Sequence, residues 1–262
     1  MGQYEAVLYE VNNSVATITM NRPDAINTFN APLRSDLKNA LVEADRDESV
    51  RVIVLTGAGR AFGAGQDLTE GGGDGAGEIT RRLLENEYKP LMMAIENSSK
   101  LVIAAVNGAA AGVSVALAMN CDLMVMADDA YLYQAFINIG IIPDGGACLR
   151  MLQQLGYRQA LELIIGGEKL SAEKCVSLGL ASRIAPSDQL LVEAQAWAEQ
   201  IAAKAPLGVA ATKRALKQCQ SLDLAAAISL EAEIQAGVTL SEDAQEAGNA
   251  FLEKRQPVFK GR

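Results

Sequence analysis

The sequence predicts an α/β fold, with buried strands in its first half and helices from about Gly146 onward. Three observations predict it. The runs 52–56, 101–106 and 123–127 are short, apolar and rich in β-branched or small residues, as strands covered on both faces are. Turn residues and a helical or loop segment follow each run, the order that right-handed crossovers between parallel strands require. With 262 residues, 50% hydrophobic and 21% charged, the chain can bury a large core without disulfides or metal and does not have the composition of a disordered protein.

Residues 6–9 and 15–20 alternate apolar and polar side chains around Asn12-Asn13, which predicts a β-hairpin ended by Asn21-Arg22-Pro23-Asp24. Asn30 is placed to cap a helix with Pro32 in its first turn and Leu33, Leu37 and Leu41 on one face, running to about Asp45. The glycine-rich stretch 71–77 reads as a surface loop or linker with no contact assigned. Tyr131 and Tyr133 alternate in a strand and are expected to pack; Trp197 falls on a helix. Helices are expected near 146–155, 157–165, 171–178, 187–204, 206–219, 222–237 and 241–253. Ser171 and Ser187 are the expected N-caps, and Gly166, Gly179 and Gly237 the expected stops. No repeat of fixed period is present.

The chain contains no His, which removes Ser-His-Asp and Cys-His catalysis and most catalytic zinc sites. Its chemistry must come from carboxylates, Lys, Tyr, Cys or the backbone. Lys plus Arg number 23 against 32 Asp plus Glu, a net charge of −9 that disfavours nucleic acid and anionic membranes as partners. Cys121, Cys148, Cys175 and Cys219 form no C-x-x-C pair, so neither a zinc site nor a disulfide scaffold is expected, and a reducing cytoplasm is the simpler setting. Cys121 and Cys148 read as small buried hydrophobes. The start, MGQYEAVLYE, has no signal- or transit-peptide pattern. The most apolar window, 101–126, is interrupted by Asn107, Gly108, Gly112, Asn120 and Asp122, short of the ~20 apolar residues of a membrane span.

Two segments set a strand before a glycine-bearing turn: one runs through Ala61-Phe-Gly-Ala-Gly-Gln-Asp67-Leu68, the other through Asn107-Gly-Ala-Ala-Ala-Gly112-Val. Glycines let backbone approach a ligand closely, and free N–H groups at a turn or helix start bind oxyanions. Neither segment fits a Walker loop or the dinucleotide fingerprint; each taken alone reads first as a tight turn. In the third segment, 136–146, one carboxylate, Asp144, follows an apolar run and precedes two glycines. It has two readings: a cap for the helix beginning near Gly146, or a carboxylate whose apolar setting suits proton transfer.

In this order and spacing the three segments resemble the crotonase (enoyl-CoA hydratase/isomerase) superfamily over nearly the whole chain. Residues 61–68 are similar to its F-[SC]-A-G-x-D-[LI] signature, 107–122 to its N-G-x-A-x-G…A…D oxyanion helix, and 139–146 to its [LI]-G-x-x-P-x-x-G element. The ending 251–262 is similar to its F-x-x-K-R-x-P-x-F tail. The resemblance implies a spiral of ββα units over 1–200, holding the CoA and acyl sites, and a helical trimerisation region over 201–262, assembling as trimers or dimers of trimers. It places the two oxyanion-hole N–H donors on Gln66 and Val113 and surrounds the substrate with Ala64, Gly65, Asp67, Leu68, Gly112, Ala116 and Phe136. Val113 stands where glycine is usual; its backbone can still donate, while its branch is expected to narrow the acyl pocket. Asp67 is expected to be structural rather than catalytic.

The two hydratase glutamates fall, by the same match, on Ala116 and Phe136, so the acid/base pair for adding water is missing. Asp144 lies where isomerase branches carry an acidic residue, and Asn-Ile-Gly-Ile-Ile-Pro-Asp-Gly-Gly and Ala-Gly-Gln-Asp-Leu resemble the phenylacetate-pathway isomerase subgroup. The implied activity moves a double bond from 3-enoyl- to 2-enoyl-CoA, or rearranges a ring-epoxide phenylacetyl-CoA to an oxepin-CoA. One carboxylate, Asp144, would carry the proton, with Phe136, Ile141 and Ile142 poising it. Coenzyme A enters as part of the substrate, and no separate cofactor or metal is expected. The alternatives are a hydratase-like lyase with a relocated acid/base and an acyl-CoA-binding protein without turnover; a dehalogenase-like route needs a His that is absent. The basic cluster Lys213, Arg214 and Lys217 reads as a solvated helix face, with contact to the CoA phosphates as the other option.

Overall fold

The computed structural model describes residues 4–70 and 75–262, so most of the glycine-rich 71–77 stretch lies outside the described residues. Strands β1 (Val7–Asn12) and β2 (Val15–Met20) form the expected hairpin, with Asn12 opposite Val15. Asn13 and Ser14 turn between them at φ 51° and 63°, the left-handed pair that matches strand twist in a two-residue hairpin. Helix α1 (Ala31–Arg46) begins where Asn30 Oδ1 accepts the Leu33 N–H at 3.1 Å, and it buries Leu33, Leu37 and Leu41.

The chain then winds as a spiral, each turn adding one long strand to a first sheet and one short strand to a second. The first turn gives β3 (Val52–Gly57), β4 (Ala61–Gly63), α2 (Ala76–Leu83) and α3 (Lys89–Glu96). A single π turn, Leu84–Tyr88, joins those two helices. The second gives β5 (Leu101–Val106), β6 (Ala109–Ala111) and α4 (Val113–Asn120). The third gives β7 (Leu123–Ala127), β8 (Tyr131–Tyr133) and α5 (Ala147–Gly166). Strand β9 (Lys169–Ser171), helix α6 (Ala172–Ser177) and strand β10 (Arg183–Ala185) follow, and then α7 (Leu190–Ala202), α8 (Pro206–Cys219), α9 (Leu224–Thr239) and α10 (Glu242–Glu253). The first sheet runs β1-β2-β3-β5-β7-β10 and the second β4-β6-β8-β9. Every residue of β3 is buried, as its unbroken apolar run predicts. The expected division at residue 200 falls near the end of α7, which packs on the first sheet.

Strands β4, β6, β9 and β10 were not expected: each is three residues long without the alternating aromatics that mark β8, and Ala109–Ala111 carries no β-branched residue. Ser171 caps α6, but Ser187 caps nothing; its hydroxyl is bonded to Asp128 and Asp129 at 2.6 Å, and α7 starts at Leu190. Gly237 does not stop α9, since glycine inside a helix costs only about 1 kcal/mol. Gly156, at φ 72° and ψ 168°, breaks α5 where two helices were expected to meet. Cys148 is exposed, against the expectation of a buried thiol, while Cys121 is half-buried and packs against the core. No helix among the described residues is long and apolar enough to cross a membrane.

Of the basic cluster only Arg214 is exposed as a solvated face would be; Lys213 and Lys217 are not. Lys213 is buried, and its Nζ donates to Asp122 Oδ2 at 2.7 Å and to the Lys100 carbonyl at 2.8 Å. Lys217 donates to the Glu96 carbonyl at 2.8 Å and to its carboxylate at 2.9 Å. These bonds tie α8 to the ends of α3 and β5. Lys213→Ala leaves Asp122 without its closest cation, and unfolding in urea should show a loss of about 3 kcal/mol. A solvated lysine would cost less than about 0.5 kcal/mol.

Candidate active site

The two glycine-bearing turns meet face to face. Strands β4 and β6 pair in parallel, Gly63 opposite Ala110, and the backbone just beyond them passes at close range. A Cβ on Gly65 would sit 3.2 Å from the Ala111 carbonyl oxygen, and one on Gly112 would sit 3.7 Å from Gly65 Cα. Both glycines have positive φ, 95° and 55°, which side-chain-bearing residues rarely adopt. Ser114 fixes the approach: its Oγ accepts the Gly65 N–H at 3.1 Å from inside the first turn of α4.

This crossing sets Gln66 and Val113, each next to one of the two glycines, on neighbouring stretches of backbone. Phe29 pairs with the outer side of the loop, taking the Asp67 N–H at 3.1 Å and giving its own to Gly65 at 2.9 Å, so the intervening Gln66 N–H faces away from that ladder. Val113 is the first residue of α4, where N–H groups have no intrahelical acceptor and the helix dipole favours negative charge. The Gln66 side chain is held separately: Tyr88 Oη donates to its Oε1 in a short hydrogen bond, and Arg34 donates at 3.4 Å. Burial pushes the Tyr88 phenol well above its ordinary value, so it keeps the proton it donates.

Asp144 lies on the wall of a cavity of about 920 Å³, together with Leu84, Tyr88, Met92, Ile141 and Ile142. It does not cap α5: the N-cap is Gly146, with no side-chain bond to the helix. Its Oδ1 is buried without a hydrogen-bond partner, and burial pushes the carboxyl up from 3.8 to about 6. The next residue seats it over α4. A Cβ on Gly145 would lie 2.9 Å from Ala116 Cβ and 3.2 Å from Val113 Cγ2, and Asn120 Nδ2 donates to the Gly145 carbonyl at 2.9 Å.

A family model described as enoyl-CoA hydratase/isomerase matches residues 10–262. The chain belongs to the enoyl-CoA hydratase/isomerase family. It is 39% identical over 259 residues to a probable enoyl-CoA hydratase of Rhodobacter capsulatus, covering 99% of each chain. It is 34% identical over 260 residues to the 1,2-epoxyphenylacetyl-CoA isomerase of Escherichia coli, covering 98% of this chain and 99% of that one. The crystal structure of an enoyl-CoA hydratase from Bacillus anthracis superposes with a TM-score of 0.93 at 32% identity, over 98% of this chain and all of that one.

Within this family frame, the expected substrate-lining residues divide. Gly65, Gln66, Gly112 and Val113 come together, and Phe136 joins them, its Cζ 3.8 Å from where a Gly112 Cβ would be. Asp144 is on the cavity wall, whereas Gly65, Gln66, Gly112, Val113, Ala116 and Phe136 form no part of it; Ala116 and Phe136 are buried, and the Val113 branch packs against the Gly145 position. Ala64 and Leu68 are exposed. Asp67 is structural: hydrogen bonds from Thr69, then the Arg22 guanidinium at 3.0 Å, hold its carboxyl down at about 2. Tyr88, Arg34 and Asn120 were missed as supports. Tyr88 repeats with Leu84 and Met92 at four-residue spacing, and Asn120 is the polar residue ending an apolar helix, signals that mark a face but no partner. No group of three or more Cys, Asp or Glu among the described residues could hold a metal.

Because the folded protein prefers Asp144 protonated, its ionisation reduces stability as pH rises from about 4 to about 6. Asp144→Asn is expected to resist urea better than the parent at about pH 7.5, by up to ~3 kcal/mol, and to match it near pH 4. A variant with the same relative stability at both pH values would show that the carboxyl is not perturbed.

Proposed function

We propose that the chain is an acyl-CoA isomerase, shifting the double bond of a 3-enoyl-CoA to give a 2-enoyl-CoA or rearranging a ring-epoxide phenylacetyl-CoA to an oxepin-CoA. One observation carries the reading: a single carboxylate with a free buried oxygen, Asp144, stands on the cavity wall beside the glycine packed on Val113. The Gln66 and Val113 N–H groups polarise the thioester carbonyl, and each is worth roughly 3–4 kcal/mol in the transition state. Asp144 takes a proton from carbon, the electron pair left behind delocalises onto the thioester oxygen as a dienolate, and the protonated Asp144 returns the proton to another carbon. The carboxylate ends as it began, so one acid/base group suffices. Coenzyme A enters with the substrate, and the reaction uses no separate cofactor.

The name of the Rhodobacter capsulatus relative favours hydration instead. Hydration needs one group to orient water and another to deliver a proton, and Ala116 and Phe136 offer neither at the family's positions. The reading includes a homotrimer or a dimer of trimers: α9 buries none of its residues, and Leu224, Ile228, Leu240 and Phe251 stand exposed on the C-terminal helices.

Incubation with a 3-enoyl-CoA in deuterated water, followed by proton NMR and mass spectrometry, tests the activity. The expected product is the 2-enoyl-CoA with no added water. kcat/KM should rise with pH and level off above about 6, where Asp144 is ionised. Asp144→Asn should lose at least ~100-fold in rate while still binding acyl-CoA. A folded variant that isomerises at the parent rate removes Asp144 from the mechanism; a hydrated product restores the hydratase reading.

A further inference from the structure

Tyr88 ends the π turn Leu84–Tyr88 and stands on the wall of the cavity that also carries Asp144, with only 2% of its surface exposed. Its ring is held from two directions: Phe29 lies against it with centroids 6.1 Å apart, and the Arg34 guanidinium sits over it at 5.5 Å. Arg34 is itself fixed, donating to Glu87 at 2.7 Å, to Glu70 at 2.9 Å and to the Phe29 carbonyl at 2.8 Å. A ring so enclosed has little freedom, and the hydroxyl it presents donates to Gln66 Oε1. Asp144 is near enough for its charge to act on the same phenol.

What that bond restrains is a peptide plane. The Gln66 N–H belongs to the peptide whose carbonyl, Gly65 O, takes the Phe29 N–H at 2.9 Å, and the Phe29 carbonyl takes the Asp67 N–H at 3.1 Å. Both backbone bonds flanking Gln66 end on one residue, so they leave the peptide free to rock about that edge. Gly65, at φ 95°, has no side chain to resist the movement. The further restraint is the Gln66 side chain: its Oε1 takes Tyr88 and, at 3.4 Å, Arg34, while its Nε2 reaches the Asp67 carbonyl at 3.3 Å.

We propose that Tyr88 is a positioning residue for the thioester: through the Gln66 side chain, its hydroxyl sets the tilt of the peptide whose N–H meets the thioester oxygen. The inference rests on the oxyanion role given to that N–H above. Hydrogen bonds weaken steeply as they bend, and a donor aimed at developing charge loses its advantage when it must reorient during the reaction. Tyr88 takes no proton from the substrate and gives it none.

Infrared spectra of the intact protein with a bound saturated ester, butyryl-CoA isotopically labelled at the thioester carbonyl, test this without turnover. In the parent the carbonyl stretch should fall in frequency on binding, and in Tyr88→Phe, which keeps the ring, the fall should be clearly smaller. With a 3-enoyl-CoA, Tyr88→Phe should lose about ten-fold or more in kcat with KM within about three-fold of the parent. The pH limb near about 6 should stay in place, because the phenol is uncharged on both sides of it. Gln66→Met breaks the same bond from the other end, so it should lose a similar amount, and the double variant no more than either single one. A full carbonyl shift in Tyr88→Phe, a parent-like kcat, a loss confined to KM, a displaced pH limb or additive losses would each overturn the positioning role. If the parent carbonyl does not shift at all, the oxyanion reading itself fails, an outcome distinct from a shift that Tyr88→Phe leaves intact.

Discussion

Everything about the site depends on how closely two stretches of backbone can pass. Gly65 and Gly112 lie at the ends of successive turns of the spiral; a Cβ on Gly65 would crowd the Ala111 carbonyl at 3.2 Å, and both residues hold a positive φ. The short second sheet exists to deliver them: β4, β6 and β8 pair in parallel, and the Gly112 N–H is spent on the Tyr133 carbonyl at 3.0 Å, leaving the next one, at Val113, to point outward. A hydrogen-bond donor made of backbone is indifferent to the side chain it carries, so a valine can occupy a position where glycine is usual in the family. Its extra carbons are absorbed by the missing side chain of Gly145.

The carboxylate belongs to the neighbouring residue. Seating Gly145 on Ala116 and Val113 accompanies an Asp144 on the cavity wall with one buried oxygen that has no hydrogen-bond partner, an arrangement that costs folding energy. The charge arithmetic of the region follows the same logic. A second carboxylate at position 116 or 136 would raise the cost of ionising the first; with alanine and phenylalanine in those places, burial raises the Asp144 carboxyl against a backbone hydrogen bond that lowers it.

What could be read in the sequence was whatever is local. The hairpin turn, the Asn30 and Ser171 caps and the long apolar strands need only neighbouring residues, and they appear where expected. The Asp144 motif and the two glycine turns were legible as strings, and the structure supplied their juxtaposition. Long-range pairings were not legible. Lys213 finds Asp122 across 91 residues, Ser187 finds Asp128 across 59, and Tyr88 finds Gln66 across 22. Each of these side chains looks, in one dimension, like an ordinary surface or capping residue. Burial of a polar group is decided by a partner that local pattern cannot name.

The π turn at Leu84–Tyr88 has a consequence for how such a pocket changes over time. A π turn holds one more residue than the helix around it needs, so losing one residue there would leave the helix continuous and stable. Removing it would turn i→i+5 bonding back into i→i+4 bonding, so the stretches on either side would keep their faces and Thr80 would still look into the same cavity as Met92 and Glu96. The change would be confined to the turn itself, where Tyr88 holds Gln66. A shift in chain length by a single codon would redraw the cavity wall at that one place while sparing the fold that surrounds it.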